Sequence, residues 1–293
     1  SSAYLSEVDV RVVDMRDRAG MRELLAEVRP DEIYNLASIS SVGQSWGQPL
    51  LTSEINGVAV LGLLEDIRSI SGYEPRVCQA SSAEIFGTPE HLPQDEGTPI
   101  RPDNPYAVAK AFAHHSAVSH RHAYDAFVCN AILFNHESPL RPASFVTGKI
   151  TAGVAQIAEG QAEVLELGRL DIRRDWGAAP DYVRAMRAML RASEPDDYVV
   201  ATGDSHELGE FVRLAFAAAG IDDPSPFVRS NPAFFRPTDI PESRGDPSKA
   251  EQRLGWSRRY SLDQVVAHMV ESDLQRLRSG VMHDRAYLDA LPA

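Results

Sequence analysis

Short runs of β-branched and apolar residues alternate along this chain with stretches whose apolar positions recur every three or four residues. The runs 8–13, 32–36, 77–80 and 127–134 read as strands. The stretches 17–28, 49–67 and 106–124 read as helices, with Pro30 stopping the first and Pro49 opening the second. A serine-rich loop, 37–41, follows the second strand. Strands 77–80 and 127–134 are apolar almost throughout, as strands covered on both faces are. The pattern predicts an α/β fold: a doubly wound parallel sheet wrapped by helices.

After Asn135 the texture changes. A polar turn (135–139), a helix (147–158), a short strand (164–167) and a charged loop (169–176) are expected. A helix (181–190), a strand (198–201) and an amphipathic helix (208–219) follow, then a proline-rich loop (224–241), the turn Gly245-Asp246-Pro247 and a last helix (261–276). No internal repeat or low-complexity segment stands out.

Composition narrows the function. At 293 residues, 43% hydrophobic and 24% charged, the chain can bury a sizeable core in one or two domains. A net charge of -13 argues against nucleic acid as a partner, although one cleft can still hold a phosphate ester. No apolar run reaches a membrane span and no signal peptide opens the chain, so a cytoplasmic protein is expected. Cys78 and Cys129 lie in strand-like runs and are expected as reduced core thiols. His114, His115, His120 and His122 crowd one helix, but no pair has the i, i+4 spacing of a helical metal site. They are read as surface or interface histidines, and no metal is expected.

The candidate chemistry lies between Ala80 and Lys110. Tyr106 and Lys110 are four residues apart, on one face of a helix. A lysine there should favour the phenolate and lower the tyrosine pKa, fitting it to exchange a proton with a sugar hydroxyl. Ser82 and Glu84 stand just past the buried strand 77–80, where an open α/β sheet puts its site. Arg173, Arg174 and Arg236 suit a diphosphate, and equally suit solvated surface. No Gly-x-x-Gly-x-x-Gly phosphate loop occurs in the chain.

Several runs together resemble the GDP-mannose 4,6-dehydratase family, extended short-chain dehydrogenases/reductases acting on a nucleotide sugar. They include Asp31-Glu32-Ile33-Tyr34-Asn35-Leu36-Ala37, Gln79-Ala80-Ser81-Ser82, Leu133-Phe134-Asn135-His136-Glu137-Ser138-Pro139, Arg174-Asp175-Trp176-Gly177 and Phe235-Arg236-Pro237-Thr238. They are collinear with the family from about Val8 to about Arg276.

The resemblance implies a Rossmann-type NADP-binding domain over 1–136, with 170–202 returning to it, and a smaller C-terminal α/β substrate domain over 137–293. It implies catalytic roles for Ser82 (polarising the sugar 4-hydroxyl), Glu84 (acid and base at C5 and C6), Tyr106 (base at O4) and Lys110 (its partner, also holding the nicotinamide ribose). Asp14 and Met15 would lie by the adenine, and Leu36, Ala37, Ser38, Ser40, His136 and Arg141 along the rest of the NADP. Asn135, Lys149, Arg174 and Arg236 would hold the GDP-sugar, and a homodimer or homotetramer is implied.

The chain departs from the family pattern at Ile39, Ser41, Leu51, Ala83, Leu140, Gly148 and Ala178, and arginine is usual at 140 and 148. The family's glycine-loop βαβ would precede Ser1, and it is expected to exist beyond this sequence. Three other readings stay open: another nucleotide sugar, an epimerase or 4-reductase, and a non-catalytic member.

Overall fold

In the computed structural model, residues 7–235 and 240–282 are described. The first half runs α1 (Arg18–Val28), β1 (Glu32–Asn35), α2 (Val42–Gly47), α3 (Pro49–Ser53), α4 (Ala59–Ser69), β2 (Arg76–Ala80), α5 (Pro105–Tyr124) and β3 (Val128–Leu133). The second half runs β4 (Asn135–Glu137), α6 (Val146–Ala158), β5 (Leu165–Leu167), β6 (Arg173–Arg174), β7 (Trp176–Ala178), α7 (Ala179–Met189), β8 (Asp197–Val200) and β9 (His206–Glu207). It closes with α8 (Leu208–Ala218), β10 (Val228–Ser230), β11 (Glu242–Ser243), α9 (Ser248–Leu254) and α10 (Leu262–Ser279).

The main sheet has the order β1-β2-β3-β8, all parallel. Its side chains alternate between two cores, as the two-residue strand period requires. Val77 and Val128 join Leu25, Leu63, Leu64 and Ile67 on the α1/α4 side. Cys78, Cys129 and Tyr198 join Tyr182, Met186 and Met189 of α7 on the other. Both cysteines are buried free thiols, as expected. A third core gathers α6, α8 and α10 around Leu165, Leu167 and Trp176.

One level of the main sheet is polar. Asn35, Gln79, Asn130 and Asp197 stand in register across its four strands. Asn35 Nδ2 donates to Gln79 Oε1 at 2.7 Å, and Asn130 Nδ2 donates to Asp197 Oδ1 at 2.9 Å.

Five expectations are corrected. Residues 8–13 form no strand: they have no ladder partner among the described residues, and Val12 is 96% exposed. The stretch 49–67 is broken by a π-helical turn, Glu54–Val58. The polar turn at 135–139 begins as β4, which pairs with β7. The charged loop 169–176 contains β6, which pairs with β9 and β11, and the first residue of β7. The proline-rich loop contains β10, paired with β5. These short strands lack a hydrophobic alternation long enough to read, and their partners are distant in sequence.

Candidate active site

The C-terminal ends of β1, β2 and β3 open into a cleft of about 740 Å³. Ligands of open parallel sheets bind at such strand ends. Leu36, Ser38 and Ser40 enter it after β1, Ser81 to Glu84 after β2, and Asn135 and His136 after β3. Tyr106 and Lys110 line it from α5, and Arg141, Lys149 and Arg174 from the C-terminal half.

Helix α5 starts where it does for local reasons. Asn104 caps it, its side chain accepting from Ala107 N, and Pro105 occupies the first helical position, where no N–H is needed. Tyr106 therefore sits in the first turn, with Lys110 one turn further on. Both are buried. Ser82 caps a short 3-10 turn, Ala83–Phe86, and its Oγ accepts from Glu84 N at 3.3 Å. The same Ser82 side chain faces Tyr106 and favours its ionised form. Asn104 Nδ2 donates to Glu84 Oε2 at 3.2 Å, so the residue that caps the helix also holds the carboxylate.

The electrostatics correct one expectation. Tyr106 does not carry a lowered pKa in this geometry. Burial pushes its phenol up to about 12 and Glu84 adds to the rise, while the Ser82 hydroxyl and the Arg141 charge oppose it. Lys110 is itself pulled down to about 8 by burial. Its Nζ donates to Ala80 O at 2.9 Å and lies 5.8 Å from the Tyr106 ring centroid.

Around the cleft, His136 Nδ1 meets Phe134 O at 2.9 Å, and its ring stacks on buried Tyr182 at 4.8 Å. The carbonyl only accepts, so Nδ1 carries the proton and Nε2 keeps its lone pair. Burial lowers the His136 pKa to about 4. Arg141 Nε donates to buried Glu137 Oε2 at 2.7 Å, and Thr147 Oγ1 donates to the same oxygen at 2.7 Å. Lys149 Nζ sits 3.8 Å from the Phe234 ring centroid. Arg174 Nη1 donates to Ile240 O at 2.7 Å.

Other expected site residues fall elsewhere. Asp14 is exposed and paired with Arg16 at 2.7 Å, and Met15 packs against the α1/α4 core. Neither lines the cleft, and neither does Ala37, whose N–H donates to Asn35 Oδ1 at 3.3 Å. Arg236 lies outside the described residues.

The sequence reading missed Asn56. The π-helical turn brings this fully buried amide against the cleft loop, where it accepts from Ile39 N at 2.8 Å and donates to Ile39 O at 2.9 Å. A polar residue inside an apolar helix pattern was the available signal. The histidine reading is also corrected: His114 and His120 are buried, only His115 and His122 are exposed, and no metal cluster occurs among the described residues.

Parallel strands feeding a cleft that gathers a Tyr-x-x-x-Lys pair with a serine and a carboxylate define a Rossmann-type enzyme of the short-chain dehydrogenase/reductase superfamily. A family model described as GDP-mannose 4,6 dehydratase matches residues 2–269. The chain belongs to that family, and so to the hydro-lyases. It is 39% identical over 293 aligned residues to the GDP-mannose 4,6-dehydratase of Vibrio cholerae serotype O1, covering 91% of this chain and 79% of the relative. RMD from Pseudomonas aeruginosa, complexed with NADPH, superposes with a TM-score of 0.84 at 23% identity, covering 94% of each chain. UDP-glucose 4-epimerase from Bifidobacterium longum, in complex with NAD+ and UDP, superposes with a TM-score of 0.78 at 26% identity, covering 94% of this chain and 86% of that one.

Proposed function

We propose that this chain dehydrates GDP-mannose to GDP-4-keto-6-deoxymannose with NADP as cofactor. The observation that carries the reading is the convergence of Ser82, Glu84, Tyr106 and Lys110 on one cleft, in a chain of this family. The cleft fits a nicotinamide dinucleotide. Ser38 Oγ is buried there without a hydrogen-bond partner, as a group awaiting a ligand would be. Leu36, Ser38, Ser40, Lys110, His136 and Arg141 would hold the dinucleotide, and Asn135, Lys149 and Arg174 the GDP-sugar. Held by these residues, the dinucleotide would supply the hydride acceptor for C4 of the sugar and the hydride donor for C6.

The residues of the chain move the protons. Tyr106 acts in its phenolate form, reached by giving up its own proton to solvent, and then takes the proton of the 4-hydroxyl, with the Ser82 hydroxyl beside it to polarise the same oxygen. The phenol begins high, so the charge of Arg141, which already lowers its pKa, assists. The 4-ketone acidifies the C5 proton, so oxidation precedes elimination. Glu84 removes that proton and delivers one to O6 as water leaves. Asn104 holds one carboxylate oxygen and orients it for both tasks.

The test is incubation of the purified protein with NADP and GDP-mannose, followed by mass analysis of the sugar nucleotide. The expected product is lighter by one water. Unchanged GDP-mannose, with NADP demonstrably bound, would overturn the substrate assignment.

A further inference from the structure

The stripe of α5 that carries Tyr106 and Lys110 continues one turn further, to His114. Each of the three side chains meets a different residue at the end of β2. Tyr106 faces the Ser82 hydroxyl, Lys110 Nζ donates to Ala80 O at 2.9 Å, and His114 Nδ1 lies 3.2 Å from Ser81 Oγ. Behind His114, its Nε2 lies 3.6 Å from Asp197 Oδ2 at the start of β8. Asp197 is in turn fixed by Arg121 at 2.8 Å and Asn130 at 2.9 Å. His114 and Ser81 are both buried, and Ser81 lines the cleft.

We propose that His114 is a positioning residue for the reaction: held from behind by Asp197, it fixes the Ser81 hydroxyl and with it the turn that presents Ser82 and Glu84. The Asp197 carboxylate favours the tautomer with its proton on Nε2. Nδ1 is then an acceptor, and Ser81 donates its hydroxyl hydrogen to it. Protonation of His114 makes Nδ1 a donor, so the Ser81 hydroxyl must turn its hydrogen away, toward the cleft. The charged and titratable groups around the ring are Asp197 from β8, and Arg121 and His115 from α5 itself, with the His115 ring 5.6 Å away. Burial, His115 and Arg121 lower the His114 pKa, while Asp197 opposes them. The switch therefore lies on the acid side of the ordinary histidine range.

The kinetic arm of the test rests on the dehydratase reading, and the spectroscopic arm does not. In the full chain, His114→Phe is expected to lower kcat about tenfold, the rate equivalent of one misplaced hydrogen bond, with KM within about twofold. His114→Gln keeps a hydrogen-bonding group toward Ser81 and is expected to recover most of kcat. It is also expected to lack the acid-side ionisation of the parent pH profile, which a purely structural role would leave in place. With 15N-labelled histidine, Ser81→Ala is expected to shift the His114 Nδ1 resonance and move its titration. Parent-like kcat in His114→Phe, an unchanged acid limb in His114→Gln, or a His114 resonance and titration indifferent to Ser81→Ala would each overturn the proposal. If the parent does not turn over GDP-mannose, the substrate reading fails, and the resonance experiment alone decides the His114–Ser81 linkage.

Discussion

Asp175 offers the sharpest test of how the cleft wall is held. Its carboxylate is fully buried next to Arg174 in sequence. Thr202 N and Thr202 Oγ1 donate to Oδ1 at 2.8 and 2.7 Å, and Gly203 N and Gly245 N donate to Oδ2 at 3.0 and 3.3 Å. One side chain thus ties the segment between β6 and β7 to the loop after β8 and to the turn after β11. Asp175→Ala leaves three backbone N–H groups and a hydroxyl without that acceptor. Hydrogen bonds to a charged group contribute about 1.5–3 kcal/mol each, but burying the carboxylate offsets much of their sum. Burial indeed raises the Asp175 pKa against the pull of those donors. Each buried donor left unsatisfied costs about 1–3 kcal/mol, and relief of the buried carboxylate offsets part of that sum, so the net loss should be about 3–5 kcal/mol. At about 2.1 cal/mol/K per residue, unfolding this chain has an entropy of about 0.6 kcal/mol/K, so the melting temperature should fall by roughly 5–8 °C. Asp175→Asn keeps an acceptor toward Thr202 but sets an NH2 against Gly203 and Gly245, so it should lie between Ala and parent. The assay is thermal unfolding followed by circular dichroism. A fall of less than about 2 °C in Asp175→Ala would refute this account of the network.

Further expectations concern the catalytic groups and the rim of the cleft. Tyr106→Phe should cut kcat by about 10²–10⁴ while NADP affinity, read by fluorescence titration, stays nearly unchanged. Glu84→Gln should stall after oxidation or slow elimination strongly, visible as slowed exchange of the C5 proton with deuterated water; parent-like turnover would remove Glu84 from its role. His136 has its folded pKa lowered to about 4 by burial, so its contribution to stability is present above the ordinary value near 6.5 and is lost as pH falls toward 4. Between pH 7 and pH 5 the loss should be about 2 kcal/mol in chemical denaturation, and His136→Gln should remove that increment. Gly148→Ala should displace the cleft rim and cost about 1–3 kcal/mol, because a Cβ there would meet Pro142 O at 2.5 Å and Arg141 O at 2.6 Å.

The parts of the fold legible in the sequence share one property: each carries its signal within a single segment. β2, β3 and β8 are largely apolar runs, and α5, α6 and α7 carry periodicity, a cap or a proline at the right end. The catalytic constellation was legible because Ser82 and Glu84 follow one such run and Tyr106 and Lys110 share one such helix. What escaped depends on partners distant in sequence. β4, β6, β9 and β11 are two or three residues long and exist only through pairing. The run 8–13 shows the converse, because valines supply β propensity but no ladder. The Tyr106 pKa escaped for the same reason. Burial of the phenol is set by the packed cleft, and it outweighs Ser82 and Arg141, the groups that favour the phenolate there.

The polar row beneath α5 also bears on how the sheet finds its pairing. An apolar strand can slide by two residues and still present hydrophobic side chains to the same face. Asn35, Gln79, Asn130 and Asp197 oppose that for two of the strand pairs, because a shift of β1 on β2 separates Asn35 from Gln79 and a shift of β3 on β8 separates Asn130 from Asp197. A mispaired sheet would bury stranded polar groups at about 1–3 kcal/mol apiece. Wrong registers of these two pairs are thereby disfavoured, and with them any misalignment of the strand ends on which the cleft depends.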